Sequence, residues 1–187
     1  VNPVESIIFE ANPNCEPMLS EQKFPYIIKG LSNTRETKDL YLRVDGNGDP
    51  WITCTGASFY LEKTPAYKDY YTVPIETSLL DDYNLYPEGV DLIKIDVQGS
   101  ELDVIDGGME TIQRSKYCLL ECSLANYNQE APKTSDIIQK MNSIGFYVHS
   151  IIDTHIGDPD QVIDGKVYGE KVLQIDILFS SDISENN

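Results

Sequence analysis

The alternation of apolar and polar positions divides the chain into short strands and helices. Apolar runs predict buried strands at residues 5–10, 26–29, 91–97, 117–123, 146–152 and 172–180. An apolar face at helical spacing predicts a helix over residues 134–144, which Gly145 ends. A second helix is predicted from Ser100 to Gly107, and a short one over residues 77–85. Strands therefore alternate with helices along most of the chain.

Two further extended runs flank the turn sequence DGNGDP at residues 45–50, which predicts a β-hairpin. Continuous apolar strands separated by helices are typical of a mainly parallel sheet that is covered on both faces. We therefore expect an α/β fold. No internal repeat or composition shift marks a boundary, so residues 1–187 are interpreted as a single domain.

The charge balance narrows the function classes. The 187 residues carry a formal net charge of −17, which repels phosphate backbones and argues against nucleic acid as a main partner. No apolar run approaches the roughly 18 residues of a membrane span, so no membrane partner is expected. Cys15, Cys54, Cys118 and Cys122 form no CxxC pair, and we interpret them as reduced thiols, which favours a cytoplasmic location.

Polar residues follow several predicted strands at their carboxyl ends, where ligands bind in parallel α/β sheets. Glu10 ends the first strand, Asp96 and Gln98 end the strand at 91–97, and Glu121 lies in the strand at 117–123. A carboxylate such as Glu10 matches the vicinal hydroxyls of a ribose, although it is equally well explained as a helix-dipole charge. Likewise, Asp96 is consistent with a ligand site or with a structural ion pair to Lys94.

Of the two histidines, only His155 is a candidate for a general base. His149 falls on a predicted strand and is expected to be packed or paired there. His155 is expected in the loop IIDTHIGDPD, where a histidine near a crevice is able to accept a proton at neutral pH. His155 is therefore a catalytic candidate beside Asp96.

The string VDLIKIDVQGSELDVIDGG closely resembles the signature of FkbM-type S-adenosylmethionine-dependent methyltransferases. The segments IIFEANP, YIIKGLSN, VPIETSLLDDY, CLLECSL and QIDILF resemble other parts of that family in the same order, over about residues 5–180. The resemblance implies a Rossmann-like methyltransferase sheet with an antiparallel last strand. It also implies S-adenosylmethionine as the cofactor and a hydroxyl of a sugar or natural product as the methyl acceptor.

The resemblance assigns roles to individual positions. It implies cofactor contacts for six residues: Glu10, Asn12, Leu31, Ser32, Asp96 and Gln98. It implies contacts to the acceptor for five residues: Gln98, Glu101, Glu121, Asn126 and Tyr127. The Asn-Tyr-Asn run at 126–128 is explained equally well as a polar loop. Asp96 is expected to remove the proton of the acceptor hydroxyl or to position that hydroxyl.

The sequence departs from the family pattern in two places. The family's first strand, its helix and the Gly-rich loop have no counterpart before Glu10, so we expect the natural protein to be longer at its N-terminus. Gln98 stands where many relatives carry Glu, which removes a charge and argues against a metal site.

Two other functions remain open from the sequence. One is a non-catalytic domain that binds a carbohydrate or a protein through its acidic crevice. The other is a nicotinamide oxidoreductase, which shares the ribose-binding acid but does not explain the motif at 91–108. The pattern gives no indication of oligomeric state.

Overall fold

The computed structural model describes residues 5–49 and 56–182. The strands are β1 Ile8–Glu10, β2 Tyr26–Ile28, β3 Gly30–Leu31, β4 Thr37–Arg43, β5 Tyr70–Ser78, β6 Val90–Ile95, β7 Ser115–Ser123, β8 Tyr147–Ile156, β9 Val162–Ile163, β10 Lys166–Val167 and β11 Val172–Ser180. The α-helices are α1 Glu16–Ser20, α2 Glu101–Gly107, α3 Met109–Gln113 and α4 Thr134–Ser143. Short 3₁₀ turns occupy Pro13–Cys15, Pro65–Tyr67 and Leu80–Tyr83.

A four-stranded sheet in the order β6-β7-β11-β8 forms the largest unit of the described residues. β6 and β7 are parallel, and β11 lies antiparallel between β7 and β8. The carboxyl ends of β6, β7 and β8 consequently meet at one edge of this sheet. The antiparallel last strand agrees with the expectation from the sequence.

Smaller sheets complete the fold. β1 pairs with β2 in parallel, β5 lies between β3 and β4, and β9 pairs with β10. The β3–β5 pair is parallel and the β4–β5 pair is antiparallel. The protein is therefore a mixed α/β structure.

The main core lies between one face of the four-stranded sheet and the helices. Side chains from β6, β7 and β11 point alternately to this face, and Ile95, Leu120 and Ile177 are at most 3% exposed. Ile105 of α2 and Met141 of α4 are fully buried against the same cluster. The helical spacing predicted for residues 134–144 is thus confirmed, because it places this apolar face on the sheet.

In the four-stranded sheet, β6, β7 and β8 run in the same direction and only β11 is antiparallel, as the sequence predicted. The pairs β4–β5 and β9–β10 add antiparallel pairing outside that sheet. The expected cover on both faces was wrong, since Leu92 of β6 is 49% exposed and Lys94 and Asp96 are also exposed. Alternation of side chains along β6 explains this exposure. Ile93 and Ile95 point toward the core, whereas Lys94 and Asp96 point to the opposite face.

Local predictions had mixed outcomes. Backbone bonds between Asp45 and Asp49 confirm the turn at DGNGDP, and Tyr41 of β4 forms an antiparallel bridge with Ser58, in the run that follows the turn. β4 also pairs along its length with β5. Residues 50–55, including Cys54, lie outside the described residues. The helix predicted over 77–85 is only the 3₁₀ turn Leu80–Tyr83, because β5 continues to Ser78. Cys118 and Cys122 are free and buried, as expected, and Cys15 is buried as well.

Candidate active site

The loop that joins β6 to α2 has an unusual backbone conformation. Gln98 has a φ of 52°, and Gly99 follows with a φ of 105°. Positive φ is uncommon for a residue with a side chain, and consecutive examples often mark functional sites. Ser58 holds the loop in place, because its buried hydroxyl donates a 2.6 Å hydrogen bond to the Gln98 carbonyl. The loop thereby turns the Gln98 side chain toward β7.

A hydrogen-bond network crosses the carboxyl ends of β6 and β7. The Gln98 amide donates to Asp96 Oδ1 at 3.1 Å and to Glu121 Oε1 at 2.9 Å. The Lys94 ammonium donates to Asp96 Oδ2 at 2.9 Å, and the Gln174 amide of β11 donates to Glu121 Oε1. The carboxyl groups of Asp96 and Glu121 also interact with each other, and each shifts the pKa of the other. We call Asp96 and Glu121 the carboxylate pair. Its neighbours are Lys94, Gln98 and Gln174.

The pKa values of the two acids of the pair are shifted in opposite directions. Burial alone raises the pKa of Asp96, but the hydrogen bond and charge of Lys94, assisted by Glu121 and Gln98, hold that pKa below its usual value. Burial and the nearby charge of Asp96 raise the pKa of Glu121 to about 7. Near neutral pH, Asp96 is therefore ionised while Glu121 exchanges a proton, which is the arrangement of an acid–base pair.

Glu101 stabilises the loop from the first turn of α2. Its side chain is almost fully buried and accepts a 2.9 Å hydrogen bond from the Gly99 amide. Burial raises the pKa of Glu101, although backbone hydrogen bonds from Gly99, Glu101 and Val97 partly offset this effect. Its carboxylate therefore organises the loop, while the residue also lines the adjoining cavity.

That cavity, which we call the acceptor cavity, has a volume of about 250 Å³. Its walls come from Gly99 and Glu101, the segment 123–128 and the segment 131–135. Asn126 and Tyr127, both predicted to contact an acceptor, lie in this wall together with Glu101. Glu101, Asn126 and Tyr127 thus share this wall, whereas Gln98 and Glu121 do not line it. The latter two are hydrogen-bonded to each other at the carboxyl ends of β6 and β7, and Gln98 adjoins the cavity through its chain neighbour Gly99.

Glu10 and Asn12 lie together at the end of β1. Glu10 Oε1 accepts a 2.7 Å hydrogen bond from the Asn12 amide, and burial raises the pKa of Glu10 against the opposing effect of the Asn12 and Ala11 amides. The Asn12 side chain is fully buried and accepts a 3.1 Å hydrogen bond from the Asn14 amide, which caps the turn Pro13–Cys15. Asn12 therefore has a clear structural role.

Leu31 ends β3 and Ser32 follows it, next to the C-terminal end of α2. Leu31 packs against the main core. Ser32 is fully buried, and its hydroxyl accepts a 2.8 Å hydrogen bond from the Lys38 ammonium. A side-chain carbon at Gly107 would lie 2.0 Å from the Ser32 carbonyl oxygen, so helix and strand meet backbone to backbone there. The Ser32 side chain is thus engaged within the protein, and its predicted cofactor contact remains a prediction.

His155 lies on β8 and not in a loop, which corrects the sequence interpretation. The strand extends to Ile156, because residues 151–156 continue to pair with β11. His155 is exposed and lies opposite Gln174. β7 and β11 separate β8 from β6, so three strand spacings, about 14 Å, lie between the strand of His155 and that of Asp96. Gln174, the residue opposite His155, donates to Glu121, and a catalytic role for His155 remains a prediction.

Two contributors to the site escaped the sequence analysis, Gln174 and Ser58. Gln174 belongs to the alternating run VLQIDILFS, where Gln174 and Asp176 share one face. That alternation was a usable signal for a polar face beside Glu121. Ser58 had no comparable signal, because its contact with Gln98 joins residues forty positions apart.

Metal-binding clusters and membrane-spanning helices are both absent from the described part of the chain. Across residues 5–49 and 56–182, no group of three or more His, Cys, Asp or Glu side chains is arranged to hold a metal ion. Within those ranges, the helices are also too short or too polar to cross a membrane.

Comparison with known proteins defines the class. The model of the methyltransferase FkbM domain matches residues 4–148, and the chain belongs to this family. The 2-O-methyltransferase NoeI of Sinorhizobium fredii is 43% identical over 53 residues, which are 27% of this chain and 22% of NoeI. The chain thus spans well under two thirds of that relative's length. No solved structure matches the chain.

Proposed function

We propose that this protein is an S-adenosylmethionine-dependent O-methyltransferase that acts on a hydroxyl group of a sugar or related natural product. The observation that carries the proposal is the carboxylate pair beside the acceptor cavity, in a chain of the FkbM methyltransferase family. The name of NoeI, a 2-O-methyltransferase, supports oxygen as the methylated atom. The free buried thiols of Cys118 and Cys122 support a cytoplasmic location.

The donor groups of the site suit this cofactor in part. Glu10 is a half-buried carboxylate at a strand end, which matches the two hydroxyls of a ribose. The net negative charge around Asp96 suits a positively charged sulfonium and ammonium group. The order β6-β7-β11-β8, with β11 antiparallel, supports the Rossmann-like methyltransferase topology that the resemblance implies. We propose that Glu10 holds the ribose and that Asp96 and Gln98 lie near the methionine portion.

The protein has two tasks during transfer. When bound, the cofactor supplies a methyl group on positively charged sulfur, which needs no further activation. The acceptor cavity holds the hydroxyl in line with that group, and the ionised Asp96 accepts the hydrogen bond from the hydroxyl. The proton then passes to the carboxylate pair, where Glu121 has the pKa matched to neutral pH. Lys94 and Gln98 keep both acids in position.

The experiment has a binding arm and a turnover arm. Binding of S-adenosylhomocysteine is measured by calorimetry, and methyl transfer is measured with a panel of sugars, for Asp96→Asn and for the control Asp91→Asn. Asp91 is a matched control because it lies at the opposite end of β6 and also pairs with a lysine, Lys116. We expect Asp96→Asn to lose about 10²–10⁴-fold in turnover, with a much smaller loss of affinity for S-adenosylhomocysteine, which lacks the sulfonium charge but keeps the ammonium group. Asp91→Asn should retain both.

The two arms separate the competing explanations. Full turnover in Asp96→Asn would assign that residue a structural role, as half of an ion pair with Lys94. Failure of the protein to bind S-adenosylhomocysteine, with sugar binding retained, would favour the non-catalytic binding domain instead. Binding without transfer to any hydroxyl compound would reject the proposed acceptor class while keeping the cofactor.

A further inference from the structure

A second and larger cavity adjoins the candidate active site. It has a volume of about 400 Å³, within the usual range for ligand pockets. The segments 62–66 and 160–162 form its two sides, and Arg43 and Tyr127 complete the wall. We call it the second cavity. Neither the family model nor the resemblance to the methyltransferase motif assigns it a role.

Tyr127 belongs to the walls of both cavities. Burial, followed by the charges of Glu62 and Glu121, raises the pKa of Tyr127 to about 12. Tyr127 is the lining residue that the two cavities share, so a ligand that passes from one cavity into the other must contact this side chain.

The wall between the two cavities is well supported. The Lys63 amide donates a 2.7 Å hydrogen bond to the Tyr127 carbonyl, and the Gln129 amide donates to the Leu61 carbonyl at 2.8 Å. Glu62 also forms a β-bridge with Asn128. On the other side, Tyr127 packs against the small core cluster of Ala125, Ile163 and Leu173. The aromatic ring is thus held by backbone pairing and by packing, which preorganises it for a ligand.

The charged and polar groups that line the second cavity favour some classes of ligand over others. Glu62 and Asp160 supply carboxylates, and Gln161 supplies both an amide donor and an acceptor. Arg43 is the only cation among the described lining residues, and its charge acts on Glu62, which also accepts a hydrogen bond from the Thr64 hydroxyl. The excess of carboxylates repels phosphate or sulfate groups, whereas neutral vicinal hydroxyls donate well to carboxylates. An aromatic face beside such groups suits the apolar face of a sugar ring.

We propose that the second cavity binds an additional neutral sugar unit of the methyl acceptor, so that the protein recognises an oligosaccharide rather than a single sugar. This inference rests on the proposed function for the position of the methylated hydroxyl, which lies in the acceptor cavity. Tyr127 stacks between the two sugar units, and Glu62 and Gln161 bind hydroxyl groups of the outer unit. The second cavity thereby sets the length of the acceptor.

The test compares monosaccharides with disaccharides. The probes are glucose and galactose against maltose, cellobiose and lactose, and binding is followed by amide NMR shifts, including the side-chain amide of Gln161. The variants are Glu62→Gln and Gln161→Ala, and the control is Asp158→Asn, an exposed acid in the same loop that does not line the cavity. Thermal melting confirms that each variant is folded. Methyl transfer to the same probes gives KM and kcat.

We expect at least one disaccharide to bind about tenfold more tightly than its monosaccharides, because the outer unit adds hydrogen bonds to charged groups. Both variants should remove that advantage and leave monosaccharide binding unchanged, whereas Asp158→Asn should behave as the unmodified protein. Equal affinity for monosaccharides and disaccharides would overturn the proposal. Unchanged affinity of both variants for the disaccharides would also overturn it. Displacement of the disaccharide by spermidine at Gln161 would also overturn it, because the cavity would then be a cation site.

The two proposals fail in different ways. If maltose, cellobiose or lactose shifts Gln161 but no sugar is methylated, the proposed function fails and the sugar site in the second cavity stands. If sugars are methylated with equal efficiency by the protein and by both cavity variants, the proposed function stands and the second cavity is excluded from recognition.

Discussion

The two faces of the four-stranded sheet differ sharply, although the same strands build both. On the helix-covered face, Ile95, Leu120 and Ile177 lie next to one another and are almost completely buried. On the opposite face, the register brings Lys94, Glu121 and Asp176 into the same region, and Leu92 is half exposed. Successive residues of one strand therefore alternate between stabilising the fold and forming the candidate active site.

The two faces of the sheet therefore differ in what a single substitution is expected to change, the stability of the fold or the chemistry of the site. A substitution on the helix-covered face removes packing and leaves a cavity, whereas one on the opposite face changes charges that water already reaches. Adjacent positions of β7, such as Leu120 and Glu121, are consequently expected to give opposite phenotypes.

The largest effect on stability is expected for Leu120→Ala. Leu120 is fully buried in the main core, so truncation should lower the free energy of unfolding by about 2–5 kcal/mol. Urea unfolding monitored by circular dichroism measures this change. The matched variant is Leu92→Ala on the opposite face, where the leucine is 49% exposed and the expected change is below about 0.5 kcal/mol. Equal losses in the two variants would mean that the second face is also covered.

An intermediate effect is expected for Gly99→Ala in the loop that carries Gln98. The backbone at Gly99 has a φ of 105°, and an added Cβ would lie 3.0 Å from Ala131 Cβ. Strain and contact together should cost about 1–3 kcal/mol and should displace Gln98 from Glu121. Unfolding measurements and methyl-transfer assays would both report the change. A matched control is Gly46→Ala, because nothing lies within 4 Å of a Cβ at that position. Loss of stability with full turnover would show that the loop position is not critical for the chemistry.

Much of the fold follows from local pattern, but the pairing of strands does not. The runs at 91–97 and 117–123 and the helix at 134–144 were predictable because their apolar spacing matches one element type. The length of β8 was not, since IIDTHI mixes apolar and polar residues at an exposed edge of the sheet. The open face of β6 was missed because an apolar strand from a parallel sheet was expected to be buried on both sides.

The residues of the candidate site also divide into those that local sequence pattern predicts and those that depend on long-range pairing. Asp96, Gln98 and Glu121 were identifiable because polar residues at the ends of adjacent parallel strands converge. Gln174 was not, because its place beside Glu121 depends on the insertion of β11 between β7 and β8, which is a long-range pairing. The second cavity depends on segments near residues 43, 62, 127 and 161, and only the folded chain brings these together.

The smallest effect is the pH dependence that Glu121 adds to stability. The pKa of Glu121 is about 7 in the folded protein against a reference value of 4.5, so the folded state binds the proton more tightly than the unfolded state. The stabilising contribution is complete below about pH 4.5 and is lost as the pH rises to about 7. Because water reaches nearly half of the group, only a modest slope is expected. Glu121→Gln should remove this slope, while the raised pKa values of Glu10, Glu62 and Glu101 act equally in both proteins. Urea midpoints between pH 4.5 and 8 give the difference, and parallel curves for the two proteins would show that Glu121 titrates normally.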